Sequence, residues 1–216
     1  MLANGELQHP DQVRALTGQA DLLVAADGGS RHALALGLRP NLVVGDLDSL
    51  TIAEQRELAQ AGTTFVGYPE AKDETDLELA LVQAVDCGAR EIVVLAALGG
   101  RTDQTLANLL LLALPQLQGV RCGIIEGPET ILLVRNWVRM VGQPGDLLSL
   151  IPLGGDCHNI WTEGLVYPLA GETLWLSRAR GISNVLDASQ VTIRVGEGML
   201  LAVHRAQEVR LQWPEW

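Results

Sequence analysis

The sequence predicts an α/β N-terminal domain with a mostly parallel, Rossmann-like sheet, followed by an all-β C-terminal domain. Three observations carry that expectation. Short apolar runs alternate with helical patterns through the first half, the rhythm of parallel strands covered by helices. Past about residue 120 that rhythm stops, and short strand-like runs recur between Gly and Pro, as in an antiparallel sandwich or barrel-like domain. At 216 residues and 48% hydrophobic content, the chain can build one large domain or two small ones with a real core. The expected domains are 1–119 and 120–216.

In chain order, residues 10–16 read as a helix with Asp11 near its start. Residues 22–26 form a strand, and 30–36 a short helix closed by Gly37. Residues 42–44 are the next strand. Thr51 and Glu54 have capping-box spacing and open a helix to about residue 61. Residues 64–66 are a strand, and 73–85 a helix stopped by Gly88. Residues 92–96 are a strand, and 103–114 a helix ended by Pro115. Beyond residue 120, Ile124-Ile125, the run 131–134, the run 147–151, Thr173 to Leu176, 191–195 and 199–203 read as strands.

Four polar clusters follow apolar runs of the first half. They are Asp27-Gly28-Gly29, Gly45-Asp46-Leu47-Asp48-Ser49, Lys72-Asp73-Glu74-Thr75-Asp76 and Gly99-Gly100-Arg101-Thr102-Asp103. Right-handed crossovers put every strand in one direction, so the clusters fall on one carboxyl rim, where open α/β sheets bind ligands. Carboxylates converging there repel unless a cation sits among them. The pattern reads as a magnesium site for a polyphosphate. Asp46 and Asp48 are two apart and share a face of an extended segment, which suits one hard cation. Asp73 and Asp76 suit a helix start as cap and first-turn acid, a role compatible with the rim. Lys72 is the only lysine against fourteen arginines, a compact charge suited to a phosphate. Gly28 and Gly29 permit close approach of backbone to an anion. Gly100 and Arg101 repeat that design with a guanidinium.

Composition narrows the partners. A formal net charge of -11 argues against nucleic acid or an anionic membrane. Cys87, Cys122 and Cys157 are an odd, widely spaced set, read as free thiols in a reducing compartment. The apolar stretch 106–114 is too short to span a bilayer. With no signal peptide in view, the expected location is cytoplasmic. No P-loop, dinucleotide fingerprint, protein-kinase loop or nucleophile elbow is found.

Taken together, these residues resemble the thiamine pyrophosphokinase family over nearly the whole chain. The ordered set is Asn4-Gly5-Glu6, Asp27-Gly28-Gly29, the segment from Pro40 to Asp46-x-Asp48-Ser49, Asp73-x-Thr75-Asp76 and Gly100-Arg101-x-Asp103. Gly145-Asp146, Gly164-Leu165-x-Tyr167 and Ser183-Asn184 extend it. The resemblance implies an α/β domain followed by a β-sandwich, working as a homodimer with the active site at the subunit interface. It implies pyrophosphoryl transfer from ATP, with Mg2+, onto the hydroxyethyl oxygen of thiamine. Asp46, Asp48 and Asp76 are then the metal set, Asp27 and Asp103 complete the acidic ring, and one aspartate serves as base. Asn4, Gly28, Gly29, Lys72, Asp73, Thr75, Gly100, Arg101 and Gln104 belong to the nucleotide and phosphate site. Ser183 and Asn184 approach thiamine. The chain departs from the family's habits at Gln104, often His, at Tyr167, commonly Trp, and at Gly181-Ile182, where some relatives carry a hydroxyl. It also opens three residues before Asn4, short of the family's first strand. Two alternatives stand beside this reading: a diphosphokinase for another hydroxyalkyl heterocycle such as a pterin, and a non-catalytic thiamine or nucleotide sensor.

Overall fold

In the computed structural model residues 1–212 are described, and the chain divides into two compact units, Met1–Glu126 and Gly127–Trp216. The last four residues of the expected second domain lie outside the described residues.

The first unit holds strands β1 (Val24–Ala26), β2 (Leu42–Gly45), β3 (Thr64–Gly67), β4 (Glu91–Leu95) and β5 (Arg121–Glu126). Helices α1 (Pro10–Thr17), α2 (Gly29–Ala35), α3 (Ile52–Gln60), α4 (Asp76–Asp86) and α5 (Thr102–Leu110) connect them. β1 pairs with β2, β2 with β3, and β4 with β5, all parallel. Residues 1–3, which no sequence pattern marked as a strand, lie between the two sets. Leu2 bridges to both Ala25 and Leu95. Its N–H donates to Val24 O at 2.8 Å, and the Ala3 N–H donates to Leu95 O at 2.9 Å. The order is therefore β5-β4-(1–3)-β1-β2-β3. The chain builds outward to β3 and then crosses to the other side at β4. Such a reversal opens a crevice at the carboxyl ends of the central strands.

Local chemistry explains the helices. Thr51 Oγ1 accepts from Glu54 N at 3.3 Å while Glu54 Oε2 accepts from Thr51 N at 2.7 Å, the predicted capping box. Leu77, Ala80, Leu81 and Ala84 are the buried face of α4, at the spacing that makes one apolar stripe. The expected helix from residue 73 starts later. Thr75 is the N-cap, accepting from Glu78 N at 3.2 Å, and Asp73 lies outside the helix. Arg101 stands at the N-cap of α5, and Thr102 is that helix's first residue. β5 contains Ile124-Ile125, read from sequence as part of the second half. It pairs in parallel with β4 and falls within the first unit.

The second unit is mostly antiparallel. β6 (Glu129–Val134), β13 (Leu200–Arg205), β8 (Leu147–Pro152) and β11 (Asn184–Val185) pair in that order. β7 (Trp137–Val141), β12 (Gln190–Glu197), β9 (Cys157–Glu163) and β10 (Ala170–Leu174) form a second sheet. Alternate residues Val191, Ile193 and Val195 of β12 are buried, as strand periodicity requires. They join Leu148 and Leu150 of β8, Ile160 of β9 and Leu200 of β13 in one apolar cluster. Among the described residues, no helix is long and apolar enough to cross a membrane.

Candidate active site

The acidic rim assembles where three connections leave the parallel sheet. Asp27 follows β1, Asp46 follows β2, and Asp76 opens α4. One carboxylate oxygen from each lies within 4.8 Å of the others. Asp27 is buried, 6% exposed. Its Oδ2 accepts a short hydrogen bond from Ser49 Oγ, while its Oδ1 is buried without a hydrogen-bond partner. An orphaned buried oxygen is costly unless a ligand completes it.

Backbone geometry makes this convergence feasible. A Cβ on Gly45 would lie 2.8 Å from Asp27 Cβ and 3.0 Å from Asp76 Oδ1, and the residue has φ +147°. Only glycine leaves room for both carboxylates. Asp27, Leu47 and Ala96 all have positive φ (33°, 66° and 52°). Non-glycine residues hold such conformations only where the surroundings enforce them, and they gather at functional sites.

Leu47 also decides the fate of the Asp46–Asp48 pair. The extended geometry expected between them is broken at its left-handed φ. Asp48 is exposed and lies outside the three-carboxylate group, its N–H donating to Asp46 Oδ1 at 3.2 Å. Asp73 is exposed as well. Asp103 does not join the group either. It pairs with Arg101, Arg101 Nη2 to Asp103 Oδ2 at 2.5 Å, and both side chains are largely exposed. The Arg101 hydrogen bond holds the Asp103 carboxyl below its ordinary pKa.

Lys72 enters the carboxylate group directly. Its Nζ lies 3.0 Å from Asp76 Oδ1 and 3.5 Å from Asp46 Oδ2. Partial burial works against the ammonium, but Asp76 and Asp46 outweigh it and raise its pKa. A cleft of about 530 Å³ runs past Asn4, Asp27, Lys72, Thr75, Gly100, Arg101 and Gln104. Gly28 is buried against Asn4, where a Cβ would come within 2.3 Å of the side chain, and Gly29 is packed on Leu2 O. Those two glycines therefore serve close packing in the protein itself.

Three contributors escaped the sequence reading. Ser49 binds Asp27, Gly45 clears the space, and Glu6 fixes the glycine loop. Glu6 Oε1 accepts from Gly100 N at 2.9 Å. The Asp-x-Asp-Ser and Asn-Gly-Glu motifs contained the signal for Ser49 and Glu6, but neither side chain's partner is local in sequence.

Ser183 and Asn184 lie in the second unit. Ser183 has φ 59° and its N–H donates to Ser149 Oγ at 3.0 Å. The Asn184 side chain is occupied by the Tyr167 backbone, accepting from its N–H at 3.1 Å and donating to its carbonyl at 2.7 Å.

Comparison with known proteins places this geometry. Residues 13–124 match the family model "Thiamin pyrophosphokinase, catalytic domain", and residues 138–200 match "Thiamin pyrophosphokinase, vitamin B1 binding domain". Thiamine pyrophosphokinase of Bacillus subtilis is 31% identical over 201 residues, covering 87% of this chain and 90% of that protein. The crystal structure of the Bacillus subtilis thiamine pyrophosphokinase superposes with a TM-score of 0.81 at 28% identity, covering 95% of this chain and 97% of that one. A thiamin pyrophosphokinase family protein from Enterococcus faecalis gives 0.81 at 25% identity, covering 96% and 98%. With both of the family's domains matched in order and a named relative spanned almost end to end, this chain belongs to the thiamine pyrophosphokinase family.

Proposed function

We propose that this protein transfers the pyrophosphoryl group of ATP to thiamine, giving thiamine diphosphate and AMP. The observation that carries the reading is the three-carboxylate group, Asp27 buried and Asp46 and Asp76 half-buried, at the carboxyl rim of a sheet whose sequence matches the family's catalytic domain. A Rossmann-like layout of that sheet and a sandwich layout of the second unit fit the same reading.

The donor set suits magnesium. All three groups offer hard oxygen, and Asp27 Oδ1 is buried and unpartnered, which supports a cation among them. Asp27, Asp46 and Asp76 would hold it, with Asp48 as an exposed rim carboxylate beside them. Magnesium would supply a template and a Lewis acid for the polyphosphate.

The chain's own residues do the rest. Lys72 and Arg101 line the cleft and bring positive charge to phosphate oxygens. The Gly99-Gly100 turn, fixed by Glu6, lets the backbone approach the nucleotide. The thiamine hydroxyl attacks the β-phosphorus in line, AMP leaves, and one rim aspartate accepts the hydroxyl proton. Positioning and preorganised charge supply most of the acceleration.

Protein given ATP, Mg2+ and thiamine is expected to release AMP and thiamine diphosphate, read by phosphorus NMR. Release of ADP, or a pterin accepted in preference to thiamine, would overturn the assignment. Ser183 and Asn184 are proposed to reach thiamine at a homodimer interface, in a cytoplasmic enzyme. Exposed Val166, Tyr167 and Ile182 beside them support a surface that a second copy covers. Light scattering is expected to give twice the chain mass of 23.2 kDa, and a monomer would remove that part of the proposal.

A further inference from the structure

We propose that Lys72 is a built-in counter-cation that holds the acidic rim together without metal and leaves it when a divalent ion enters. This rests on the metal reading above. Three carboxylates whose oxygens lie within 4.8 Å repel one another, and the fold must neutralise them before any ion arrives. Lys72 is placed to do so. Its ammonium contacts two of the three, at 3.0 Å and 3.5 Å, and its side chain is only 11% exposed. A further contact to Pro69 O at 3.3 Å holds it from its own loop.

The nearest of these oxygens, Asp76 Oδ1, is buried and accepts no well-aligned hydrogen bond. It is held by charge alone, as an oxygen awaiting a different cation would be. Magnesium binds carboxylate oxygen at about 2.0–2.1 Å. An ion at that distance from Asp76 Oδ1 would stand against the ammonium, with two positive centres in one small space. Coulomb repulsion at such separations exceeds what a 3.5 Å contact to Asp46 returns. The two cations therefore alternate.

Residue type agrees with that role. The chain uses arginine fourteen times and lysine once, here. An ammonium on a flexible stem makes no bidentate lock and moves without dragging the backbone. Lys72 also lines the cleft beside Gly100 and Arg101, so the released charge has polyphosphate oxygens to move toward. The exchange would make metal entry and phosphate capture one coupled event.

Because Lys72 is the single lysine, its chemistry can be read alone. The full chain is treated with a limiting acetylating reagent, with and without Mg2+ and with no nucleotide, and acetylated Lys72 is quantified by peptide mass spectrometry. Displacement raises its acetylation rate several-fold when Mg2+ is added; an unchanged or slower rate overturns the proposal. Calorimetric titration of Mg2+ into Lys72→Met gives a second readout. The dissociation constant is expected to fall about ten-fold from wild type, because the ion no longer evicts a charge. Equal or weaker binding overturns the proposal. Absence of Mg2+ binding in both proteins overturns the metal reading as well, whereas binding beside an unmoved Lys72 overturns this inference alone. Should Lys72→Met fail to fold, the acetylation measurement on the wild type decides.

Discussion

Asp27 and Asp46 show what a single carboxylate does here. Each is held in a cluster whose mutual repulsion the fold tolerates, with a buried oxygen of Asp27 left unpartnered. Such groups serve ligands and not packing, and removing charge from them costs little stability. Asp27→Asn and Asp46→Asn are each expected to lower kcat by about 100-fold or more while the metal-free melting temperature stays level or rises. Calorimetry and initial rates check both halves; near-wild-type turnover in either variant would remove that residue from the site. Asp103 should behave differently. Its carboxylate is exposed and held by Arg101, so its loss acts through phosphate contacts and raises the KM for ATP more than it lowers kcat. At this scale the sequence was informative about residue type and poor about partners. It placed Asp27, Asp46 and Asp76 on one rim from the apolar runs before their clusters, and the three carboxylates lie together. It grouped Asp48 with them on the premise of an extended segment. The left-handed φ of Leu47 is imposed by tertiary packing, and nothing in the residue type announces it.

Elements were legible wherever a local rule governs them. The Thr51 capping box forms as its spacing demands, and the buried runs of β1, β2 and β4 are the strands their composition implies. Residues 1–3 were not, because three residues carry no period; Ile124-Ile125 was legible as a strand but not as part of the first unit, because a strand's partner is a non-local fact. The contrast yields a paired test. Thr51→Ala removes one exposed helix cap and is expected to cost about 1 kcal/mol with activity intact. Gly45→Ala forces a Cβ to within 2.8 Å of Asp27 and 3.0 Å of Asp76, at φ +147°. Its stability cost should be about 2–4 kcal/mol, and turnover should collapse because both carboxylates must move. Urea titration with parallel rate measurements separates the two. Equal effects from both substitutions would mean that the β2 terminus has slack that its geometry does not show.

The whole molecule carries a net charge of -11 and a sequence pI near 4.7, so acid has two opposed effects on it. Lowering the pH relaxes the general repulsion among carboxylates, which favours the compact state. Against this stands a buried group in the second unit. His204 is 4% exposed and its Nε2 lies 2.9 Å from Asp146 Oδ2; the carboxylate accepts, so Nε2 carries the proton. Burial lowers the His204 pKa, and the opposing pull of Asp146 does not restore it. Asp146 is itself buried, which pushes its pKa up. The Gln143 N–H, His204 and the Gln207 N–H outweigh that and leave it lowered. In both cases the unfolded chain takes up protons more readily than the folded one, so stability falls as pH falls. For His204 the loss begins below its unfolded value of 6.5 and levels off beneath the folded one; for Asp146 it begins only near 3.8. His204→Gln should therefore remove this opposing loss between pH 7 and 5, leaving the full rise in melting temperature that relaxed repulsion alone produces. The wild type should show that rise blunted or reversed over the same interval. Identical slopes for the two proteins would mean that His204 protonates as readily folded as unfolded.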